Sequence, residues 1–425
     1  MRNELVRSER LGDQYEIIDH PSGLRMLLAP MEGFRSAYAL FGTAYGSIDT
    51  EIQYADGRVD PIPQGTAHYL EHKLFESEEC NAFDRFAKTG ASANAYTSFD
   101  RTAYLFSCTD HFAESIEILL DFVTHPYFTA ETVEKERGII GQEIRMYDDS
   151  PEWRVLFNML TAMYAKNPVR NDIAGTVESI AEIDADLLYK CYGAFYDLSN
   201  MVLAVAGCFD RDAVLSAADR VLKAGEPVLI RHSTCTEPPE VLQSYAEERL
   251  PVSVPQFTFG FKALDRGERE NLTGSVLDEI FAEAMAADYT RFYRELYDKE
   301  LINATFYSEA FCGRDFCSTL YSGESKEPER VADALQRRFS ELRRDGIPEE
   351  LFRNAQRSVY GHYLRSAERT EGIASELLNC HFAGHSPYVL LDAAAEATAE
   401  SVCERAFSAY SEEHTVLSVI RPTGE

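Results

Sequence analysis

The chain has 425 residues and a formal charge of −30, from 71 acidic and 41 basic side chains. That length exceeds one ordinary hydrophobic core and predicts two domains, and a hydrophobic fraction of 45% is that of a globular protein. Such a charge excludes nucleic acid as a partner, since phosphate binding needs a basic surface. It also disfavours an anionic membrane, and it suits a neutral or basic substrate.

Met1 to Glu16 is dense in charge and lacks the apolar centre of a secretory signal. No apolar run approaches the roughly 18 residues that span a bilayer. The nine cysteines are an odd number without a Cys-x-x-Cys pair; the nearest two are Cys312 and Cys317. They read as reduced thiols of a cytoplasmic protein, not as a disulfide framework.

In chain order, Tyr15–Asp19 and Gly23–Ala29 alternate around a Pro-Ser-Gly turn and predict a hairpin. Ser36–Gly46 predicts a buried strand, and residues 51–64, with Gly57, Pro61 and Pro63, a loop. Gly65 opens a helix, a second covers Asn81–Lys88, and Ala91–Ser107 holds two strands that turn near Asp100. Helices follow at Ala113–Thr124, Ala130–Tyr147, Pro151–Tyr164 and Asp184–Tyr196; then come a central strand at Asn200–Cys208 and a helix at Asp210–Ala224.

The stretch 226–241, with Pro227, Pro238 and Pro239, reads as a linker between domains 1–225 and 242–425. The second half predicts a strand at Val254–Lys262, a helix at Asn271–Glu300 and strands at Asn303–Ala310 and Cys317–Gly323. Helices at Glu327–Asp345 and Glu349–Arg365 and a last strand at His414–Arg421 complete it. The order of elements makes a weak internal repeat.

The chemistry centres on His68-Tyr69-Leu70-Glu71-His72. Residues four apart share a helix face, so both imidazoles can reach one ion, and Glu71 lies on the same face without needing to be a ligand. A metal-bound water and a nearby carboxylate base are the parts of a hydrolase. Two histidines are not a complete catalytic site. The helix Ala130–Tyr147 offers Glu136 and Glu143, two turns apart, and spacing alone does not choose between them. Gly138 and Gly141 in that helix cost about 1 kcal/mol each and suggest close approach to another backbone. His381 and His385 are also four apart, but no Glu lies between them. Gly384 and Pro387 mark a helix end, which favours a structural role. His125 before Pro126 suits the negative end of a helix.

Three motifs in order, Gly65–Phe75, Asn94–Thr97 with Thr102–Tyr104, and Glu136–Met146, resemble the pitrilysin/insulinase family of metallopeptidases. These are inverzincins akin to mitochondrial processing peptidase. The resemblance implies a zinc-dependent endopeptidase with His68, His72 and Glu143 as ligands and Glu71 as general base. Glu136 would support the site, and Asn94, Ala95, Tyr96 and Thr97 would pair with an extended peptide or unfolded protein as an added strand. The implied fold is α+β: two similar domains, each a mainly antiparallel sheet with helices on one face, arranged as a clamshell. The second half departs from the family. Where an Arg and a Tyr are expected, Leu296–Asn303 has Tyr297 and Asn303. That departure, and the similarity to the zinc-bearing member of paired bacterial peptidase-like proteins of Firmicutes, imply a sister subunit supplying the pair in a heterodimer, with a homodimer as the other arrangement. A non-catalytic or partner-dependent assembly or maturation subunit is the alternative function.

Overall fold

The computed structural model describes residues 2–424 apart from 79, 226, 227, 229 and 265–271. The expected helix start at Asn271 and part of the expected linker lie outside these residues. The chain forms two compact units, neither contiguous in sequence. The first holds residues 1–144, 172–233 and 365–387; the second holds 145–171, 234–364 and 388–425.

The strands of the first unit are β1 (Arg2–Arg7), β2 (Gln14–Asp19), β3 (Arg25–Pro30), β4 (Ala37–Thr43), β5 (Glu51–Tyr54), β6 (Val59–Pro61), β7 (Ser92–Thr97), β8 (Thr102–Cys108), β9 (Met201–Gly207) and β10 (Ile230–Arg231). Seven of them form one sheet in the order β1-β2-β3-β9-β4-β8-β7, and β10-β5-β6 form a small second sheet. All seven residues of β9 are buried, as expected of a continuous apolar run in mid-sheet. β1 has the charged sequence RNELVR and pairs only with β2. An edge strand tolerates charge on its open side, so its composition does not announce it. Glu51–Pro61, expected as loop, is the β5-β6 hairpin.

The second unit holds β11 (Tyr245–Leu250), β12 (Gln256–Lys262), β13 (Tyr307–Gly313), β14 (Phe316–Glu324) and β15 (Thr415–Pro422), in the order β11-β15-β12-β14-β13. β11, another charged edge, reads YAEERL. The helix expected over 271–300 is two helices, Leu272–Ala286 and Arg291–Asp298, because Thr290 caps the second by accepting from the Tyr293 amide at 3.0 Å. Cys312 and Cys317 are joined by a disulfide, against the expectation of thiols throughout; the other seven cysteines are free. The antiparallel register sets the two directly opposite each other, which spacing along the chain does not reveal.

Each of the two large sheets carries a helix on each face, where one covered face was expected. In the first unit Thr43 Oγ1 donates to the Phe195 carbonyl at 2.5 Å on one side, while on the other an added Cβ at Gly42 would lie 2.5 Å from Leu378 of helix Thr370–Phe382. In the second, Phe261 stacks on Phe339 of helix Pro328–Asp345, and the neighbouring Gly260 faces Met163 and Met159 of helix Pro151–Met163. Among the described residues no helix is long and apolar enough to cross a membrane.

Candidate metal and catalytic site

Helix α1 (Thr66–Leu74) begins at Gly65, whose φ of +85° and whose approach to the Ala174 carbonyl, 2.4 Å from an added Cβ, both require glycine. Its inner side buries Ala67, Tyr69, Leu70 and Leu74. The Tyr69 hydroxyl donates to the Val133 carbonyl, and Lys73, wholly buried, pairs with Glu76. Two further helices, α2 (Ala82–Thr89) and α3 (Phe112–Thr124), precede α4 (Ala130–Asp148). On α4, Val133, Glu136, Ile140 and Ile144 make one buried stripe at helical spacing. The Tyr69–Val133 bond therefore holds the histidine helix against the helix that carries both glutamates.

Another face of α1 presents His68, which is buried, with the partly exposed Glu71 and His72. His72 Nε2 lies 3.3 Å from one Glu143 oxygen and His68 Nε2 lies 3.7 Å from the other. The three groups can offer ligand atoms all within 4.8 Å of one another. Zinc bonds of about 2.0–2.1 Å in a tetrahedron put ligand atoms about 3.3 Å apart, so these separations fit a shared cation. Glu136 stands behind instead: its Oε1 is 2.9 Å from His72 Nδ1. That bond leaves Nε2 of His72 turned towards Glu143. The alternative that spacing left open is thus separated by geometry, with Glu143 among the imidazoles and Glu136 orienting one of them.

The two imidazoles differ in their electrostatic surroundings. Burial resists charge on His72, but its hydrogen bonds to Glu136 and Glu143, with the Glu71 charge beside it, raise it to about 10. Burial and then the neighbouring His72 push His68 down to about 4, against the pull of Glu143 and Glu136. Burial likewise opposes charge on Glu136, and the His72 bond overcomes it and lowers that carboxyl. His68 Nδ1 is buried with no hydrogen-bond partner.

Asn94, Ala95, Tyr96 and Thr97 lie on β7, the last strand of the sheet, which is paired on one side with β8. The Asn94 side chain accepts from the Ala95 amide at 2.9 Å. The Thr97 hydroxyl reaches back to α1 and donates to Glu71 Oε2 at 2.7 Å. No spacing rule in the sequence predicts that contact, because 26 residues separate its two ends. Burial raises the Glu71 carboxyl, and the Thr97 bond and His72 work against that rise.

One expectation does not hold in this region. An added Cβ at Gly138 meets nothing within 4 Å, so close backbone approach does not account for that glycine. His381 sits in a helix that ends at Phe382, where burial and the Arg25 charge lower it to about 4, and His385 follows Gly384 at φ +78°. Neither joins a metal group among the described residues. His20 is satisfied by Ser22 Oγ of its own turn at 2.8 Å and by Asp219 of helix Arg211–Val221 at 3.1 Å. Asp278, Cys312 and Cys317 also converge, but the sulfurs are bonded to each other and Asp278 is paired with Arg405 at 2.9 Å. In the second half, Tyr297 is exposed beside Tyr293. Asn303 is engaged locally, donating to Glu324 at 2.7 Å and accepting from Thr305.

Comparison with known proteins agrees with this geometry. The profile of Insulinase (Peptidase family M16) matches residues 60–177, and that of the Peptidase M16 inactive domain matches residues 182–359. The chain is 38% identical over 390 residues to the uncharacterized zinc protease YmfH of Bacillus subtilis (strain 168), covering 90% of each. It is 25% identical over 319 residues to a second protein of that organism, the uncharacterized zinc protease YmxG, covering 73% of this chain and 76% of the relative. Among solved structures, an M16-like protein from Alicyclobacillus acidocaldarius superposes with a TM-score of 0.90 at 33% identity, covering 99% of this chain and 98% of the other. A protease from Helicobacter pylori shares the fold at a TM-score of 0.83 and 16% identity, covering 96% and 100%. The chain therefore belongs to the insulinase family of peptidases, peptidase family M16.

Proposed function

We propose that the protein is a zinc-dependent endopeptidase. The observation that carries this reading is the convergence of His68 Nε2, His72 Nε2 and the Glu143 carboxylate at separations suited to one tetrahedral ion. Zinc held by these three residues would polarise a scissile carbonyl and lower the pKa of a water towards about 7. Glu71 would accept a proton from the water that adds to the carbonyl carbon and would pass it to the amine released when the C–N bond breaks. Glu136 fixes the ring of His72 through Nδ1, as carboxylate partners of metal-binding histidines commonly do. The peptide, or a stretch of unfolded protein, lies extended along Asn94–Thr97 and takes its main-chain hydrogen bonds from the open edge of β7. In this reading the protein works in the cytoplasm.

A second reading has its own observation. Tyr297 and Asn303 stand where the resemblance leads one to expect an Arg and a Tyr, and Asn303 is tied into a local turn. The chain would then depend on a sister subunit that contributes the missing pair, or serve as an assembly or maturation subunit without turnover of its own. Zinc content and turnover of unstructured peptides, for wild type and Glu71→Gln, separate the two. One zinc per chain with turnover abolished in Glu71→Gln supports the peptidase. Metal without turnover, even with a co-purifying partner present, supports the binding role.

A further inference from the structure

We infer that Thr97 is a positioning residue for Glu71, its hydroxyl fixing the orientation of the carboxylate that serves as base. This rests on the reading of Glu71 given above and adds to it a residue whose side chain acts apart from the backbone edge it shares with Asn94–Tyr96.

Three observations carry the assignment. First, Thr97 Oγ1 at 2.7 Å is the one hydrogen-bond partner of the Glu71 side chain among the described residues. A long carboxylate side chain without it would sample several rotamers. The bond takes up Oε2 and leaves Oε1 for a reacting proton. Second, the hydroxyl is itself held firmly. Thr97 pairs with Thr102 on β8, and Thr102 Oγ1 donates to the Tyr45 carbonyl at 2.9 Å. The turn that follows is clamped by Ser47 N to Ser98 O at 3.1 Å and Ile48 N to Phe99 O at 2.9 Å. At Gly46 an added Cβ would lie 2.4 Å from the Phe99 carbonyl, so this segment lies directly on the turn. A β-branched residue then adds a stiff χ1. Third, the partition of β7 is consistent. Its side chains alternate, so Thr97 faces α1 while its neighbour Tyr96 faces the other side of the sheet. The side chain serves the base, and the backbone remains available to a peptide.

The roles differ in what they change. Loss of a group that orients the base lowers kcat, whereas loss of a group that binds the peptide strand raises KM. The test is Thr97→Val, an isosteric strand former, beside Thr97→Ser, Glu71→Gln and the double variant Thr97→Val/Glu71→Gln, in the protein as purified with any partner it retains. The expected result is a fall in kcat of about 10–100-fold in Thr97→Val with KM, zinc content and thermal stability unchanged. Thr97→Ser should recover most of the rate, and Thr97→Val should cost nothing further when Glu71 is already Gln. An unchanged kcat in Thr97→Val alongside a dead Glu71→Gln overturns the assignment and spares the peptidase reading. Full turnover in Glu71→Gln overturns the base itself. A crystal structure of Thr97→Val decides the positioning claim whether or not peptide is cleaved: the Glu71 carboxylate should leave its wild-type place, and its staying there refutes the claim.

Discussion

The two units are built on one plan. In the first, β3-β9-β4-β8-β7 begins with a parallel pair and continues antiparallel; in the second, β11-β15-β12-β14-β13 does the same. Gly42 on β4 and Gly260 on β12 hold matching places, each leaving room for a helix on that face. Among the described residues, only the first unit presents a candidate metal-binding group with ligand atoms not bonded to one another. Between β4 and β7 it places α1 with its two histidines. Between β12 and β13 the second unit places helix Leu272–Ala286, whose acidic residues are all engaged. Asp278 pairs with Arg405, Glu279 accepts from Tyr363 at 2.8 Å, and Glu283 accepts from Tyr289 at 3.0 Å. One architecture thus carries a site in one copy and a closed polar framework in the other, so function here belongs to particular side chains, not to the fold.

That contrast can be broken first at the base. Glu71→Gln should lower peptide turnover by about 10²–10⁴-fold while leaving the metal and the melting curve in place, as measured by kinetics beside elemental analysis. A variant that keeps its rate removes the chemical distinction between the units.

The second unit has its own buried charge. Lys262 and Glu237 are 2.9 Å apart and almost fully buried, and Glu237 also accepts from the amides of Ala165, Lys166 and Asn167. Removing one partner leaves an uncompensated charge, so Lys262→Met should destabilise the second unit by about 3–5 kcal/mol in denaturant unfolding, with zinc binding by the native protein retained. Burial alone would raise the Glu237 carboxyl, but the three amides and Lys262 hold it below its usual range. A carboxyl depressed in the fold contributes stability that is complete above its unfolded value of about 4.3 and is lost as pH falls through the lower folded value. Unfolding of this unit should therefore ease on acidification, less so in Glu237→Gln. Equal acid sensitivity in that variant would assign the effect elsewhere.

A smaller change sharpens the first unit. Glu136→Gln keeps the size of the side chain but removes the charge behind His72, and should weaken zinc affinity by about 10–100-fold in competition with a chelator. The smallest expected effect is at Gly138, which is exposed on α4 with open space around it. Gly138→Ala should raise stability by about 0.5–1 kcal/mol and leave the metal untouched. A loss of stability there would reveal a contact that the described residues lack.

The amino-acid sequence by itself determined the elements that bury an apolar face and the residues that can meet within one element. β9, α1 and α4 are legible because burial imposes a period on hydrophobic residues, and His68, Glu71 and His72 are legible because helical geometry is local. What only the tertiary structure decided is whatever joins elements far apart in the chain. It set Glu143 beside the imidazoles and Glu136 behind one of them, brought Thr97 to Glu71, and faced Cys312 with Cys317. It also exchanged residues 145–171 and 365–387 between the halves and revealed the charged edges β1 and β11, whose open sides meet water. Packing and strand register are long-range outcomes of where apolar surface is buried, and residue spacing along the chain does not encode them.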